Sequence, residues 1–250
     1  MTNNRHEEIR LLLQEHGNLT VSELAKNFSV SEMTIRRDLK HLAALGLIQR
    51  EHGRALYLES VPQDGLFLTR LGEAEREKTA IGIAAANLIE EGDSIILDAG
   101  TTTLAVAQAI NKQCVVITNS LPIAGVLGDR PNITVLVTGG ELRGSTYALV
   151  GSLTRSSLAG FNANRLFLGA TGVDLERGLS TTSMQESEVK EAMLAVAKEV
   201  ILVAHSKKIG KVFYHSFAHW DKVNILITDS GLSSEILLRI EELGVKVILV

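Results

Sequence analysis

The sequence predicts an α/β protein built from an N-terminal winged helix-turn-helix and a doubly wound, mostly parallel α/β domain. Two short amphipathic segments joined by a tight turn lie within the first 60 residues. Aliphatic runs then alternate with helical patterns from about residue 78 onward, which is typical of a parallel sheet with helices on both faces. We therefore expect a first domain at 1–60, a linker and connecting helix at 61–77, and a second domain at 78–250.

The helix-turn-helix is predicted between residues 20 and 39. Thr20 followed by Glu23 forms a capping box for the first helix, and Ser31 is a suitable N-cap for the second. The second helix has a buried side made by apolar residues at helical spacing, namely Ile35, Leu39 and Leu42. In a helix-turn-helix such a second helix enters the DNA major groove. The alternative is a helical hairpin with a solvated charged face.

The residues expected at DNA are polar or cationic side chains around the second helix and the wing. Gly46 is expected to end that helix, and residues 49–58 predict a two-stranded wing that turns at 51–54. Cations on the helix would contact phosphates, and its first residues would reach base edges. The predicted DNA-binding set is Thr20, Ser31, Met33, Thr34, Arg36, Arg37, Lys40 and Arg54.

Global charge does not indicate a nucleic-acid partner. The chain has 25 Lys and Arg against 29 Asp and Glu, a formal net charge of −4. Binding of double-stranded operator DNA would depend on how the cations are distributed and on pairing of two modules, so we expect a homodimer or homotetramer.

Composition also bears on the compartment. The one cysteine, Cys114, lies in an apolar run, where a small core residue is the expected role, and a disulfide framework is excluded. The first residues lack the apolar core of a signal peptide, and no apolar run is long enough to cross a membrane. We expect a cytoplasmic protein with no membrane partner.

The second domain contains seven short aliphatic runs that predict buried strands. The helix before them is expected to run from Phe67 to Glu77 and to continue into Lys78–Leu88. The predicted strands are Ser94–Leu97, Val115–Ile117, Ile133–Val137, Leu166–Leu168, Val200–Val203, Ile225–Ile227 and Val245–Val250.

Polar residues follow these strands at the points where they end. In an open α/β sheet, ligands bind outside the carboxyl ends of the strands. Gly100 allows close approach of the backbone, and Thr101–Thr103 open a helix whose free N–H groups favour an anion such as a phosphate. A strand-to-helix turn with an N-cap is the alternative at any single position. The predicted effector-binding set is Asp98, Gly100, Thr101, Thr102, Thr118, Asn119, Gly139, Gly140, Lys207 and Lys208.

The N-terminal residues resemble a known signature. Arg5, Ile9 and the block Ser31–Leu39 are similar to the DeoR family of bacterial transcriptional regulators. The chain departs from that family in the wing, where Gly53 is followed by Arg54 instead of a second glycine. This resemblance implies a metabolite-responsive transcription factor, most often a repressor of a sugar-use operon.

The second domain resembles the sensor domain of the same family. The residues that carry the resemblance are Lys78, Gly92, Asp93, Asp98, Gly100–Thr102, Thr118, Asn119, Gly139, Gly140, Gly151, Thr228 and Asp229. It implies a fold similar to ribose-5-phosphate isomerase and a phosphorylated sugar as effector. His205 stands where the family usually has Asp, and Lys207 where it has Ser. These changes make that corner more cationic, so the effector would be more acidic or differently hydroxylated than for typical relatives.

Other candidate groups are weaker. His215 and His219 have the spacing of a helical metal pair but no evident third ligand, so no metal and no cofactor are expected. Three glutamates on a later helix are interpreted mostly as a solvated face: Glu186, Glu188 and Glu191. Glu188 would reach the site if that helix points at it. A second functional class, an isomerase-like enzyme with a DNA-binding module, would use Asp98 and Lys208 as base and electrophile.

Overall fold

The computed structural model describes residues 2–44, 48–51, 54–57 and 67–250. Its internal contacts divide the chain into two compact units, Met1–Thr69 and Arg70–Val250. Three sequence-based expectations lie outside the described residues: the helix end at Gly46, the wing tip at 52–53 and the linker at 59–65.

The first unit packs three helices against a small antiparallel sheet. Its elements are α1 (Thr2–His16), β1 (Asn18–Thr20), α2 (Val21–Asn27), α3 (Glu32–Ala44), β2 (Ile48–Glu51) and β3 (Arg54–Tyr57). The stripe predicted for α3 is buried, with Ile35, Leu39 and Leu42 at most 2% exposed, and it packs with Ile9 and Leu13 of α1. These contacts are those of a helix-turn-helix core.

The wing has one strand more than the sequence predicts. β3 pairs with β2 as expected, and β1 pairs with the other side of β3. β1 is three residues long, too short to show the alternation from which strands are recognised.

The connecting helix is broken, contrary to the sequence-based expectation. α4 (Phe67–Gly72) and α5 (Glu75–Asn87) are separate helices. Gly72 is the last residue of α4, and Ala74 adopts a left-handed conformation with φ of 48°, which no continuous α-helix contains.

The second unit contains the remaining elements. They are β4 (Ser94–Leu97), α6 (Thr101–Ala109), β5 (Cys114–Thr118), α7 (Leu121–Leu127), β6 (Ile133–Val137), β7 (Glu141–Arg143), β8 (Ala148–Val150), α8 (Ser152–Leu158), β9 (Ala163–Leu168), β10 (Gly172–Asp174), β11 (Gly178–Thr181), α9 (Met184–Val196), β12 (Ala197–Val203), β13 (His215–Ala218), β14 (Ile225–Thr228), α10 (Ser234–Glu242) and β15 (Lys246–Leu249).

Seven of these strands form one parallel sheet in the order β15-β14-β12-β9-β4-β5-β6. Each contains residues of one predicted strand, so the doubly wound fold class is confirmed. The aliphatic runs of the central strands are buried: Ile95, Ile96, Leu97, Leu166 and Phe167 are all 0% exposed. The edge strands β6 and β15 are partly exposed. The chain reverses its winding between β4 and β9, and ligands of such sheets bind at this switch point.

Two smaller antiparallel sheets were not predicted. β7 pairs with β8, and β11 lies between β10 and β13. Their strands are three or four residues long and lack long aliphatic runs. None of the helices in the described ranges has the length and apolar character needed to cross a bilayer.

Candidate functional site

The exposed face of α3 carries most of the predicted DNA-binding residues. Met33, Thr34, Arg36, Arg37 and Lys40 line one shallow groove. Met33 is 76% exposed and the side chain of Arg36 is 49% exposed. Arg36 makes an exposed ion pair with Glu32 at 3.4 Å, a contact worth little in water. The structure therefore brings these five residues together.

The other three predicted residues lie at helix starts and on the wing. The Thr20 hydroxyl accepts from the Glu23 N–H at 3.2 Å, and the Thr20 backbone N–H donates to Glu23 Oε2 at 2.7 Å, which completes the predicted capping box. Ser31 Oγ accepts from the Thr34 N–H at 3.2 Å. Arg54 opens β3, is exposed and is the register partner of Thr20. The side chains of Thr20 and Ser31 therefore act mainly as N-caps of α2 and α3.

One buried carboxylate joins α1 to α3, and the sequence reasoning assigned it no role. Asp38 is 2% exposed, and its Oδ2 accepts from Arg5 Nε at 2.8 Å. Its Oδ1 lies 3.1 Å from His6 Nε2. Burial alone would raise the pKa of Asp38, but the hydrogen bonds and charges of Arg5 and His6 lower it below the ordinary 3.8. The spacing Ile35, Asp38, Leu42 could have revealed this residue, since it places Asp38 on the apolar side of α3.

In the second unit, Asp98 lies at the switch point in an ion pair with Lys190. The Lys190 ammonium donates to Asp98 Oδ2, which also accepts from the Gly169 N–H at 2.9 Å. Asp98 is 2% and Lys190 6% exposed, and the ammonium also lies 5.5 Å from the centre of the Phe217 ring. Lys190 was not predicted, because nothing in the sequence distinguishes it from an ordinary solvated lysine on a helix.

Two ammonium groups are held on successive carbonyls just after β9. Lys190 Nζ donates to the Gly169 oxygen at 3.0 Å, and Lys208 Nζ donates to the Ala170 oxygen at 2.6 Å. Lys208 thereby reaches from the end of β12 to the end of β9, the strand beside β4. Lys207 is exposed. Of the two predicted lysines, Lys208 is the one that reaches the switch point.

The start of α6 follows β4 directly. Gly100 is its N-cap and supplies no side-chain cap to the N–H groups of the first turn. The Thr103 hydroxyl donates back to the Gly100 oxygen at 3.0 Å. Thr101 and Thr102 are buried, and the Thr102 hydroxyl has no hydrogen-bond partner within the described residues. Such a helix start is suited to an anion.

Unpaired buried polar atoms recur along this edge of the sheet. Buried polar groups in proteins are nearly always paired, so each exception requires an explanation. The atoms without a partner among the described residues that follow or end a strand of the main sheet are Thr102 Oγ1, Asn119 Oδ1, Thr138 Oγ1, His205 Nδ1 and Thr228 Oγ1. They belong to the carboxyl ends of five different strands: β4, β5, β6, β12 and β14. A polar ligand at the carboxyl edge would satisfy them.

Other predicted effector residues are engaged within the fold. The Thr118 hydroxyl donates to the Leu97 oxygen at 2.7 Å and accepts from the Ser120 N–H at 3.1 Å. The Gly139 oxygen accepts from the Thr154 hydroxyl at 2.6 Å. Gly140 has φ of 137°, and a Cβ there would lie 2.1 Å from Thr154 Oγ1. Thr118 and the two glycines therefore shape the edge.

The corner after β12 contains the residues in which the sequence departs from its resemblance. Burial, and then the charges of Lys208, Lys78 and Lys207, lower the pKa of His205 to about 4, against the opposing charge of Asp229. Asp229 accepts from the Ser206 N–H and hydroxyl, both at 2.7 Å, and from the Gly231 N–H at 3.1 Å. The imidazole is therefore uncharged at neutral pH.

Glu186 contradicts the interpretation of its helix face as solvated. It is 8% exposed, and its carboxylate accepts from Thr146 Oγ1 at 2.8 Å and from Thr181 Oγ1 at 3.0 Å. Arg143 Nε lies 3.2 Å from the same carboxylate. The first turn of α9 packs on β7, β8 and β11, which the sequence did not predict, and this explains the error. Glu188 forms an ion pair with Arg155 at 3.3 Å.

The two histidines with metal-pair spacing do not share a helix. His215 begins β13, and His219 follows its end. Within the described ranges, no three His, Cys, Asp or Glu side chains are grouped so that they could hold a metal ion. Cys114 is buried, and burial raises the pKa of its thiol to about 11.

Known families match both parts of the chain. A DeoR-like helix-turn-helix domain matches residues 5–61, and the DeoR C-terminal sensor domain matches residues 73–230. A putative aga operon transcriptional repressor of Escherichia coli O157:H7 is 32% identical over all of this chain and 94% of its own length. The transcriptional regulator GlpR of Haloferax volcanii is 35% identical over 98% of this chain and 96% of its own.

Solved structures are more distant. Ribose 5-phosphate isomerase A from Methanocaldococcus jannaschii covers 55% of this chain and 55% of its own, with a TM-score of 0.41 and 14% identity. Both family matches and the full-length similarity to these regulators agree with the two units, and the chain belongs to the DeoR family of helix-turn-helix transcriptional regulators.

Proposed function

We propose that this protein represses a carbohydrate-use operon and that a phosphorylated sugar controls its affinity for the operator. The observation that carries the effector part is the row of unpaired polar atoms after five parallel strands, next to the uncapped start of α6. Relatives named as the aga operon repressor and as the repressor GlcR of Bacillus subtilis support the regulatory part.

The phosphate is assigned to the space between the first turn of α6 and Lys208. The backbone N–H groups of Thr101 and Thr102 offer an uncapped positive helix end. The Lys208 ammonium, held on the Ala170 oxygen, supplies the countercharge from the other side of the switch point. The exposed Lys207 would add a weaker, screened attraction.

The sugar hydroxyls are assigned to the acceptors along the edge. Asp98 binds Lys190 and the Gly169 N–H through Oδ2, and its second oxygen, Oδ1, is assigned as an acceptor for the ligand. Asn119 keeps Oδ1 free while its Nδ2 donates to the Leu149 oxygen at 3.0 Å. Both residues belong to the predicted effector set, and a sugar hydroxyl would donate to each.

DNA binding is assigned to the groove face of α3 with the exposed Arg54 on the wing. The charges there are few, and Arg36 is partly neutralised by Glu32. One module would bind a half-site weakly, which supports a two-fold symmetric oligomer reading two half-sites. A monomer in light scattering that binds one half-site tightly would contradict this assembly.

An isomerase activity is the other candidate from the sequence, and the contacts of its two residues favour it less. The Asp98 oxygen Oδ2 is occupied by Lys190, and the Lys208 ammonium by the Ala170 carbonyl. Enolisation needs a carboxylate base that exchanges a proton with the substrate, whereas Asp98 is held in an ion pair with the buried Lys190. Interconversion of ketose and aldose phosphates by the purified chain would restore the enzymatic interpretation.

Operator affinity measured with and without a panel of sugar phosphates tests the proposal. One phosphate should change affinity of the parent protein at least about tenfold, which requires about 1.4 kcal/mol of coupling. Thr101→Ala and Lys208→Ala should retain operator binding and lose that response. Lys211→Ala, which removes an exposed lysine nearby in sequence, is the matched control and should respond like the parent. If both site variants respond like the parent, the effector site lies elsewhere.

A further inference from the structure

Lys78 is an unusual cation in the second unit. It is 4% exposed, and its one described hydrogen bond is donated to the Arg70 carbonyl oxygen, although an ammonium has three donors. Burial lowers its pKa to about 8, against the charges of Glu73, Glu75 and Glu77 on its own segment. A buried ammonium with unused donors is stabilised when an anion binds beside it.

α5, the helix that carries Lys78, packs on β12 and β14, and His205 follows the carboxyl end of β12. The charge of Lys78 also contributes to the lowered pKa of His205. Its Nδ1 is buried and has no partner among the described residues. The charges that act most strongly on the pKa of His205 are those of the ammonium groups of Lys208, Lys78 and Lys207, opposed by the carboxylate of Asp229. Asp229 already accepts three hydrogen bonds from Ser206 and Gly231. Among the charges that act most strongly on His205, the ammonium groups outnumber this carboxylate.

This corner is separate from the start of α6. His205 follows β12 and α6 follows β4, with β9 between those strands. Neighbouring strands are about 4.8 Å apart, so the two strand ends are about 10 Å apart. One phosphate is too small to bridge that distance, whereas a sugar phosphate of five or six carbons extends across it.

We propose that Lys78 and His205 bind a second acidic group of the effector, so that the effector is a phosphorylated sugar acid or a sugar bisphosphate. The inference rests on the proposed function, since it places the phosphate of the same ligand at α6. Lys78 supplies charge to the second acidic group. The neutral imidazole of His205 supplies a hydrogen bond without adding a carboxylate that would repel the ligand.

Calorimetric titration of the full chain with paired probes tests this inference. The pairs are 6-phosphogluconate with glucose 6-phosphate, and fructose 1,6-bisphosphate with fructose 6-phosphate. In at least one pair the doubly acidic member should bind about tenfold or more tightly than its partner, the effect of a charge-assisted contact. Equal binding within both pairs would overturn the inference and leave the proposed function intact. Binding of no probe at millimolar concentration would overturn both.

Variants of His205 locate the preference. His205→Asp should reduce the preference to about twofold or less, because the new carboxylate repels the second acidic group of the ligand. His205→Asn, which stays neutral and polar, should keep most of the preference. His219→Asp makes the same change at an exposed histidine and should behave like the parent. An undiminished preference in His205→Asp, with parental thermal stability, would remove this corner from the effector site.

Discussion

Arg5 Nε lies 2.8 Å from Asp38 Oδ2, and this ion pair links α1 to α3. The carboxylate is nearly inaccessible, whereas the side chain of Arg5 is 19% exposed. The orientation of α3, and with it the position of the groove face, therefore depends on Arg5, which lies 33 positions before Asp38 in the sequence.

Removal of the carboxylate should destabilise the N-terminal unit. Asp38→Ala leaves Arg5 and His6 without their buried acceptor, and we expect a loss on the order of 2 kcal/mol. Glu32→Ala removes the exposed ion pair to Arg36 and should change stability by less than about 0.5 kcal/mol. Urea denaturation of both variants measures the difference, and equal costs would show that the Asp38 pair contributes no more than a surface pair.

The same carboxylate predicts an acid dependence. Because the pKa of Asp38 is below its ordinary 3.8 in the folded chain, its contribution is present above that value and is lost as pH falls through the folded pKa. Asp38→Asn should lose less stability than the parent between about pH 4 and pH 2. Urea denaturation midpoints of the parent and of Asp38→Asn, measured across that pH range, test this difference. If the two proteins lose stability equally as the pH falls, the prediction is contradicted.

The groove face of α3 should be necessary for operator binding. Arg36→Ala combined with Arg37→Ala should abolish specific binding, since each base-reading contact is worth about 1–3 kcal/mol, and the fold should remain intact. Arg177→Ala with Arg239→Ala removes the same charge from exposed positions of the second unit and should bind like the parent. A gel-shift titration compares the two, and unchanged affinity in the first variant would exclude α3 from recognition.

The pair of Asp98 and Lys190 should be strongly coupled. Lys190→Met leaves a buried carboxylate without its cation, at a cost of about 3–5 kcal/mol. Adding Asp98→Asn should recover part of that stability, so the double variant should lose less than the two single variants combined. Additive losses in a double-mutant cycle would argue that the two groups do not interact in solution.

In the protein without effector, the unpaired hydroxyl of Thr102 should lower the free energy of unfolding relative to an apolar side chain of the same shape. Thr102→Val removes a buried, unpaired oxygen, so the free protein should gain up to about 1 kcal/mol while effector affinity falls. Thr118→Val provides the contrast, because its hydroxyl is bonded to the Leu97 oxygen and its loss should destabilise the free protein by about 1 kcal/mol. Thermal melts with and without effector separate the cases, and a destabilised Thr102→Val would mean that its oxygen is satisfied.

The parallel sheet was predictable because its strands are continuous aliphatic runs, such as Ile133–Val137, which the structure reproduces without change. The short β7 and β8 were not, because three residues show no periodicity. The break at Ala74 was missed because nothing in that residue type indicates a left-handed conformation.

The candidate site was predictable where residues follow strands directly, as Asp98 and Asn119 do. Lys190 was not found, because a lysine on a helix is ordinarily solvated and only the packing of α9 brings it to the switch point. For the same reason Glu186 was predicted to be solvated. In the structure it is buried and accepts hydrogen bonds from Thr146 and Thr181. The order of the strands determines which loops lie together at the carboxyl edge of the sheet. The orientation of each packed helix determines which of its charged side chains are buried, and the sequence alone does not reveal that orientation.

The lack of space around Gly140 limits which positions can be mutated to change the ligand selectivity of this protein, for example in a biosensor. Its positive φ and the closeness of Thr154 Oγ1 and the Val150 carbonyl leave no room for any side chain, so a substitution there would unfold the edge before altering selectivity. A mutant library should therefore keep the glycine invariant. Diversity is better placed at Thr138, just before the glycine pair, where an unpaired hydroxyl can be exchanged without moving the backbone.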